Sequence, residues 1–169
     1  FDRTARVFHA DGSEIAVLKG HDAEVRAAAF SPGDGALVVT ISDDRVARVF
    51  HADGVGAPVA LRGHEDWLTS AAWSPDGARI VTTSMDHTAR VFRADGVGEP
   101  MVLRGHVNEV LSAAWSPDGK RIVTGDDHGG VRIWDSSGKG KPVVLPAHDK
   151  GVAAVAWSRN GKRIVTASW

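Results

Sequence analysis

No cysteine occurs among the 169 residues, which excludes a disulfide framework and any thiolate metal site and leaves the redox compartment undecided. Charge of one sign is missing too: 20 Lys and Arg stand against 21 Asp and Glu, for a formal net charge of −1. Sequence-independent binding of nucleic acid needs a strongly basic face, and an anionic membrane surface asks for the same, so neither is expected as a partner. No apolar run approaches the roughly 18 residues of a spanning helix, and no stretch carries helical periodicity for long. The remaining 43% hydrophobic content is ordinary for a chain that buries a core. The chain opens on Phe1 rather than Met, and the expectation is that it was cut from something longer.

What is present is a text that repeats. Leu61-Arg62-Gly63-His64, Ser70 to Gly77, Arg79-Ile80-Val81-Thr82 and Asp86 to Phe92 return as Leu103-Arg104-Gly105-His106, Ser112 to Gly119, Arg121-Ile122-Val123-Thr124 and Val131-Arg132-Ile133-Trp134. Trp73, Trp115 and Trp157 are spaced by 42 residues, as are Asp2, Asp44 and Asp86. A period of about 40–45 residues, with Gly-His and an aromatic-ended strand, predicts an all-β propeller array with one four-stranded antiparallel blade per unit. The small residues of Val25 to Phe30 suit an innermost strand, where space tapers. Ser74-Pro75-Asp76-Gly77 reads as a type I turn, Ile80-Val81-Thr82 as a second strand, Thr88 to Phe92 as a third, and Met101-Val102-Leu103 as an outer one. Ser31 to Gly35 holds one residue more than its counterparts and lies in a turn, where insertions are tolerated.

These motifs resemble the WD-repeat β-propellers over essentially the whole chain. The resemblance implies a hydrogen-bonded tetrad in each blade: a histidine after glycine, a Ser or Thr on the second strand, an aspartate in the next turn and an aromatic on the third strand. Carried over, the first unit offers His21, Ser42, Asp44 and Phe50, and the second His64, Ser84, Asp86 and Phe92. The third offers His106 and Trp134, but Asp126 and His128 fall where serine and aspartate are expected, so Asp127 is expected to stand in. Phenylalanine has no indole N–H, and the relay is expected to end early in the first two units. Asp2 and Phe8 at the start, and His148 and Ser168 at the end, are partial sets. The resemblance further implies a non-catalytic, cofactor-free scaffold that binds proteins. It extends to tandem arrays in bacterial regulatory proteins and carries the expectation of a cytoplasmic setting.

The chain thus reads as one propeller segment: a half-blade over 1–20, blades over 21–62, 63–104 and 105–146, and a half-blade over 147–169. The two half-blades are complementary, and each leaves an open sheet edge that proteins normally close. Three closures are open. One chain could join its own ends into four blades, although blades of seven- or eight-fold rings subtend about 45–51° each. Two chains could pair head to tail into an eight-bladed homodimeric ring, the favoured expectation for a whole molecule. Otherwise the chain is an arc of a longer propeller.

Ser, His and Asp recurring together invite a hydrolase reading, but a catalytic triad converges once in one cleft, whereas this trio recurs in every unit. His21, His64, His106 and His148, one per blade, are expected to lie too far apart to share a metal ion. Gly138-Lys139-Gly140-Lys141 lacks the spacing of a phosphate loop and reads as a solvated connector. Arg6, Arg48, Arg90 and Arg132 are expected to lay their stems on the neighbouring aromatic with the guanidinium in water. The least repetitive residues lie in the Gly-His loops and the turns between second and third strands. They are Glu24, Arg45, Trp67, Met85, Asn108, Glu109, Asp127, Lys150 and Trp169, and they form the candidate partner-binding rim, with Trp67, Met85 and Trp169 as apolar anchors.

Overall fold

The computed structural model describes residues 2–169; Phe1, which the sequence places at the break in the first blade, lies outside them. Strands β1 (Ala5–Phe8) and β2 (Glu14–Leu18) form a two-stranded sheet. Blade 1 follows as β3 (Val25–Phe30), β4 (Leu37–Ser42), β5 (Ala47–His51) and β6 (Val59–Leu61). Blade 2 is β7 (Leu68–Trp73), β8 (Arg79–Ser84), β9 (Ala89–Arg93) and β10 (Met101–Leu103). Blade 3 is β11 (Val110–Trp115), β12 (Arg121–Asp126), β13 (Gly130–Asp135) and β14 (Val143–Pro146). The last sheet has two strands, β15 (Val152–Trp157) and β16 (Ile164–Ser168). Every pairing is antiparallel and between sequence neighbours, and among the described residues there is no helix. By sequence register, β1 and β2 match the third and fourth strands of a blade, and β15 and β16 the first and second. Among the described residues β16 and β1 are not paired, and no sheet closes.

The turns explain why each meander folds back where it does. In Ser74-Pro75-Asp76-Gly77 the Gly77 amide donates to the Ser74 carbonyl at 2.9 Å, and the Ser74 hydroxyl donates to Asp76 at 2.5 Å. Gly77 has φ +68°, a left-handed conformation that a side chain would strain. The longer Ser31 to Gly35 turn absorbs its extra residue with a second left-handed glycine, Gly33 at φ +85°.

A bulge interrupts the pairing of every inner hairpin, between Val25 and Ala27, Leu68 and Ser70, Val110 and Ser112, and Val152 and Ala154. The residues skipped are Arg26, Thr69, Leu111 and Ala153. A bulge re-aims the side chain it carries, and here it does so at one place in each blade.

The core is divided into slabs between successive sheets. Val39, Ile41, Val49 and Leu61 of blade 1 meet Leu68, Ile80 and Phe92 of blade 2; Val81, Val91 and Leu103 meet Ala113, Trp115, Ile122 and Trp134 of blade 3. Val7, Ala16 and Leu18 cover Val38 and Phe50 at one end, and Val152 covers Val123 and Val131 at the other. A fully buried Ile80 or Val81 contributes about 1.5–3 kcal/mol, and only because a neighbouring sheet stands against it.

Candidate functional site

Two sets of residues arise from this repetition: a buried polar network inside each blade, and a cavity where the inner strands converge. In blade 1 the His21 Nδ1–H donates to Asp44 Oδ2 at 2.9 Å, and the Thr40 hydroxyl lies 2.7 Å from His21 Nε2. Blade 2 repeats this with His64, Asp86 at 2.7 Å and Thr82 at 2.8 Å. Blade 3 has His106, Asp126 at 2.6 Å and Thr124 at 2.6 Å, and there the Trp134 indole N–H donates to the Thr124 hydroxyl at 2.8 Å. In the last sheet His148 Nε2 meets Thr166 at 2.8 Å.

The expected serines are therefore not the histidines' partners. Once the turn carboxylate holds Nδ1, the opposite ring nitrogen points down the second strand to the threonine one pleat earlier. Ser42 instead accepts from the Asp44 amide at 3.1 Å, Ser84 donates to the Asp66 carbonyl at 3.0 Å, and Ser168 donates to the Lys150 carbonyl at 3.0 Å. The expected substitute in blade 3 also differs. Asp126, not Asp127, reaches His106, because Gly130 leaves the space: a Cβ there would sit 2.4 Å from Asp126 Oδ2. With Asp126 and Thr124 in place the relay Trp134–Thr124–His106–Asp126 is complete, although the sequence reading left every unit incomplete. His128 lends only its backbone amide to Asp126, at 3.0 Å.

Arg48 and Arg90 also depart from expectation, being buried rather than ending in water. Arg48 Nη1 donates to Asp44 Oδ2 at 2.6 Å, and Arg132 approaches Asp126 at 3.7 Å. Arg90 packs against Gly63, where a Cβ would come 3.0 Å from its Nη1, and its Nε finds no partner among the described residues. Only Arg6, in the two-stranded sheet, is half exposed, with Nη1 bonded to Glu14 at 2.6 Å. The difference is the covering Gly-His loop, which β1 lacks. Asp2 correspondingly bonds the amide of Thr4 at 3.2 Å and no imidazole.

Electrostatics follow the geometry. Burial would raise the Asp44 carboxyl, but the Asp22 amide, the His21 ring and Arg48 outweigh it and hold it at about 2. Asp86 and Asp126 are likewise lowered against burial by their histidines and by backbone N–H donors. Burial lowers His21 and His106, so both rings are neutral at pH 7, with Nδ1–H given to the carboxylate and Nε2 accepting from threonine. Each histidine is thus committed to its own blade, and no three His, Asp or Glu side chains gather at metal-binding geometry among the described residues.

The four bulge residues supply the second set. Arg26, Leu111, Thr69 and Ala153 line a cavity of about 300 Å³ together with Trp67, Met85 and Trp169. Arg26 forms a two-pronged ion pair with Asp43 at 2.8 and 2.7 Å, and its guanidinium lies 5.6 Å from the Trp67 ring centre. Trp67 is 43% exposed and Trp169 70%, and Trp169 packs where a Cβ at Gly151 would clash, 2.2 Å from its ring. The rim residues separate here. Trp67, Met85 and Trp169 line the cavity, and Glu24 flanks Arg26 at 3.9 Å. Arg45 donates to the Glu65 carbonyl at 3.3 Å over an adjacent cleft. Glu109 accepts from the Asp127 amide at 2.9 Å, Lys150 accepts from Ser168, and neither these nor Asn108 or Asp127 lines the cavity.

The family model of the WD domain, G-beta repeat, matches residues 12–51, 58–93, 99–135 and 141–169. The chain belongs to the WD40 repeat family. No curated protein matched it in sequence. The first three WD40 matches begin at an outer strand of one sheet and end on the third strand of the next, and the fourth runs from β14 to β16, so repeat and blade are out of step by one strand. WD40 repeats in general are protein-interaction scaffolds. What the sequence reading of this WD40 chain missed is the bulge set, because Arg26, Thr69, Leu111 and Ala153 share no chemistry, only a position.

Proposed function

We propose that this WD40 segment is a non-catalytic scaffold that seats an apolar anchor of a protein partner in the cavity between Trp67, Met85 and Trp169. The observation that carries the reading is convergence: four bulges aim unlike side chains at one opening flanked by two exposed indoles. Aromatic groups around a small apolar recess are the usual centre of binding energy, and the Arg26–Asp43 pair offers a polar edge that fixes orientation. Peptides selected from a displayed library against the protein are expected to lose about 30-fold in affinity on Trp67→Ala, the factor of a typical anchor near 2 kcal/mol. Selected peptides that all bind the variant as tightly as the parent would overturn the reading.

A second reading concerns the two-stranded sheets. His148 has its threonine but no carboxylate, and Asp2 with Arg6 has no imidazole. Phe30 is 57% exposed where its counterpart Trp115 is buried and Trp73 partly so, and the Arg163 guanidinium makes no hydrogen bond among the described residues. We infer that β16 of one copy pairs with β1 of another, completing a blade in trans within a homodimeric ring. Light scattering on the 169-residue polypeptide at micromolar concentration should give twice 17.9 kDa, and a monomer there would dismiss this reading.

A further inference from the structure

Two kinds of clip hold the seams between successive sheets. The indole of the tryptophan ending an inner strand donates backwards to the preceding blade: Trp73 to the Ala29 carbonyl at 3.1 Å, Trp115 to Ala72 at 3.1 Å, Trp157 to Ala114 at 3.3 Å. An arginine opening the second strand reaches forwards. Arg79 donates to the carbonyls of Ser136 at 2.8 Å and Gly119 at 3.2 Å, with its guanidinium carbon 4.6 Å from the Trp115 ring centre. Arg121 does the same one seam later, donating to Gly161 at 3.0 Å and lying 4.5 Å from Trp157.

Blade 1 has Leu37 at this position, paired with His51 as Arg79 is paired with Arg93. Leucine carries no donor, so the forward clip between blades 1 and 2 is missing. The carbonyls of Gly77 and Ala94, counterparts of Gly119 and Ser136, receive no side-chain hydrogen bond among the described residues. Val59 also stands where the longer Met101 fills the next seam. A groove of about 560 Å³ results, walled by Leu37, Val49 and Val59 on one side and by Ala78, Ala94 and Asp95 on the other.

We propose that this groove receives an arginine side chain from a protein partner, seated as Arg79 is seated one seam further on. The chemistry of the occupant is read from the molecule itself, which twice fills the corresponding place with a guanidinium of its own. Apolar walls suit the methylene stem and the Ala94 carbonyl suits a planar, five-donor head, while Gly77 and Trp73, just beyond the lining, hold the repeat positions at which Gly119 and Trp115 meet Arg79. Arg79 and Arg93 also border the groove, but the Arg79 guanidinium is bonded to the Ser136 and Gly119 carbonyls, and the charge of Arg93 is matched by the Asp95 carboxylate to which it is bonded. An apolar side chain would leave the carbonyls unpaired, and a lysine would lose the planar fork. The groove is lined by none of the residues around Trp67 and Trp169, so the proposal stands apart from the anchor cavity.

The test is an NMR titration of the 169-residue protein with the blocked pentapeptide Gly-Gly-Arg-Gly-Gly and its citrulline analogue, which keeps the shape and removes the charge. The arginine peptide is expected to shift the Trp73 indole and the Ala94 and Asp95 amides, and to bind about tenfold more tightly than the analogue, as charge-assisted hydrogen bonds require. Leu37→Arg, which supplies the missing clip internally, should abolish those shifts while raising the melting temperature. Val59→Met, which narrows the groove as Met101 does next door, should weaken binding without needing a new charge. Equal affinity for the citrulline peptide, shifts confined to other residues, no shifts at all, or undiminished binding by a folded Leu37→Arg or Val59→Met variant would each overturn the proposal.

Discussion

Strands β3 and β11 both end in two alanines and an aromatic, and both lead an identical four-stranded meander, yet one is covered and the other bare. Val110, Ala113 and Trp115 of β11 are buried, whereas Ala27, Ala28 and Phe30 of β3 are exposed. The same contrast separates Phe50, 6% exposed, from Phe8 at 52%. The strand pattern and pairing do not differ; the neighbour does. β11 lies between the inner strands β7 and β15, while β3 has an inner strand on one side only. In a stacked array the strand is specified within the repeat, and its burial is supplied by the repeat beside it.

Acid should erase this contrast most completely. His21 and His106 titrate lower in the folded protein than the ordinary 6.5, so the stability they contribute is whole above that pH and drains away as pH falls towards their folded values. Asp44, Asp86 and Asp126, held below 3.8, remove a second share as pH falls below about 4. Thermal melts are expected to be flat from pH 7 to 8, to decline as pH falls below 6.5, and to collapse below about 4. Insensitivity between pH 7 and 3 would refute the neutral-imidazole network.

A paired substitution sharpens the comparison next. Val81 and Val165 occupy the same place on β8 and β16, the first buried and the second exposed. Val81→Ala should cost about 2 kcal/mol in urea unfolding, and Val165→Ala less than about 0.5 wherever the polypeptide is monomeric. Similar losses at both sites would mean that the last sheet is covered in solution, as a trans-completed blade demands.

Blade 3 differs from its neighbours by one indole donor. Trp134→Phe removes the hydrogen bond to Thr124 and should cost about 1 kcal/mol, turning blade 3 into the likeness of blades 1 and 2. The smallest expected effect concerns the turns, where Arg45 at φ +66° and His87 at φ +65° hold the left-handed conformation that Gly129 supplies in blade 3. His87→Gly should stabilise by up to about 1 kcal/mol, less the entropy that glycine adds to the unfolded chain.

The strands, the turns and the period were legible because each rests on local chemistry: β-branched runs, Pro-Asp-Gly turns and a fixed spacing of tryptophans. The network was legible only in part. Thr40 and Ser42 are both hydroxyls on one face of one strand, and only the distance from the turn carboxylate through the imidazole decides between them. Asp126 was misread because its role depends on an absent side chain at Gly130, and the burial of Arg48 and Arg90 depends on a loop two strands away. At the rim, Trp67, Met85 and Trp169 stood out by size, but Arg26, Leu111 and Ala153 are gathered there by bulges that no residue type announces.

The one-strand offset between repeat and blade has a consequence for how such a molecule changes in the genome. Unequal crossing-over that inserts or deletes one 42-residue unit trades an outer strand for an equivalent outer strand and leaves every interior sheet with four. The number of blades is therefore a quantity that recombination can raise or lower in whole steps.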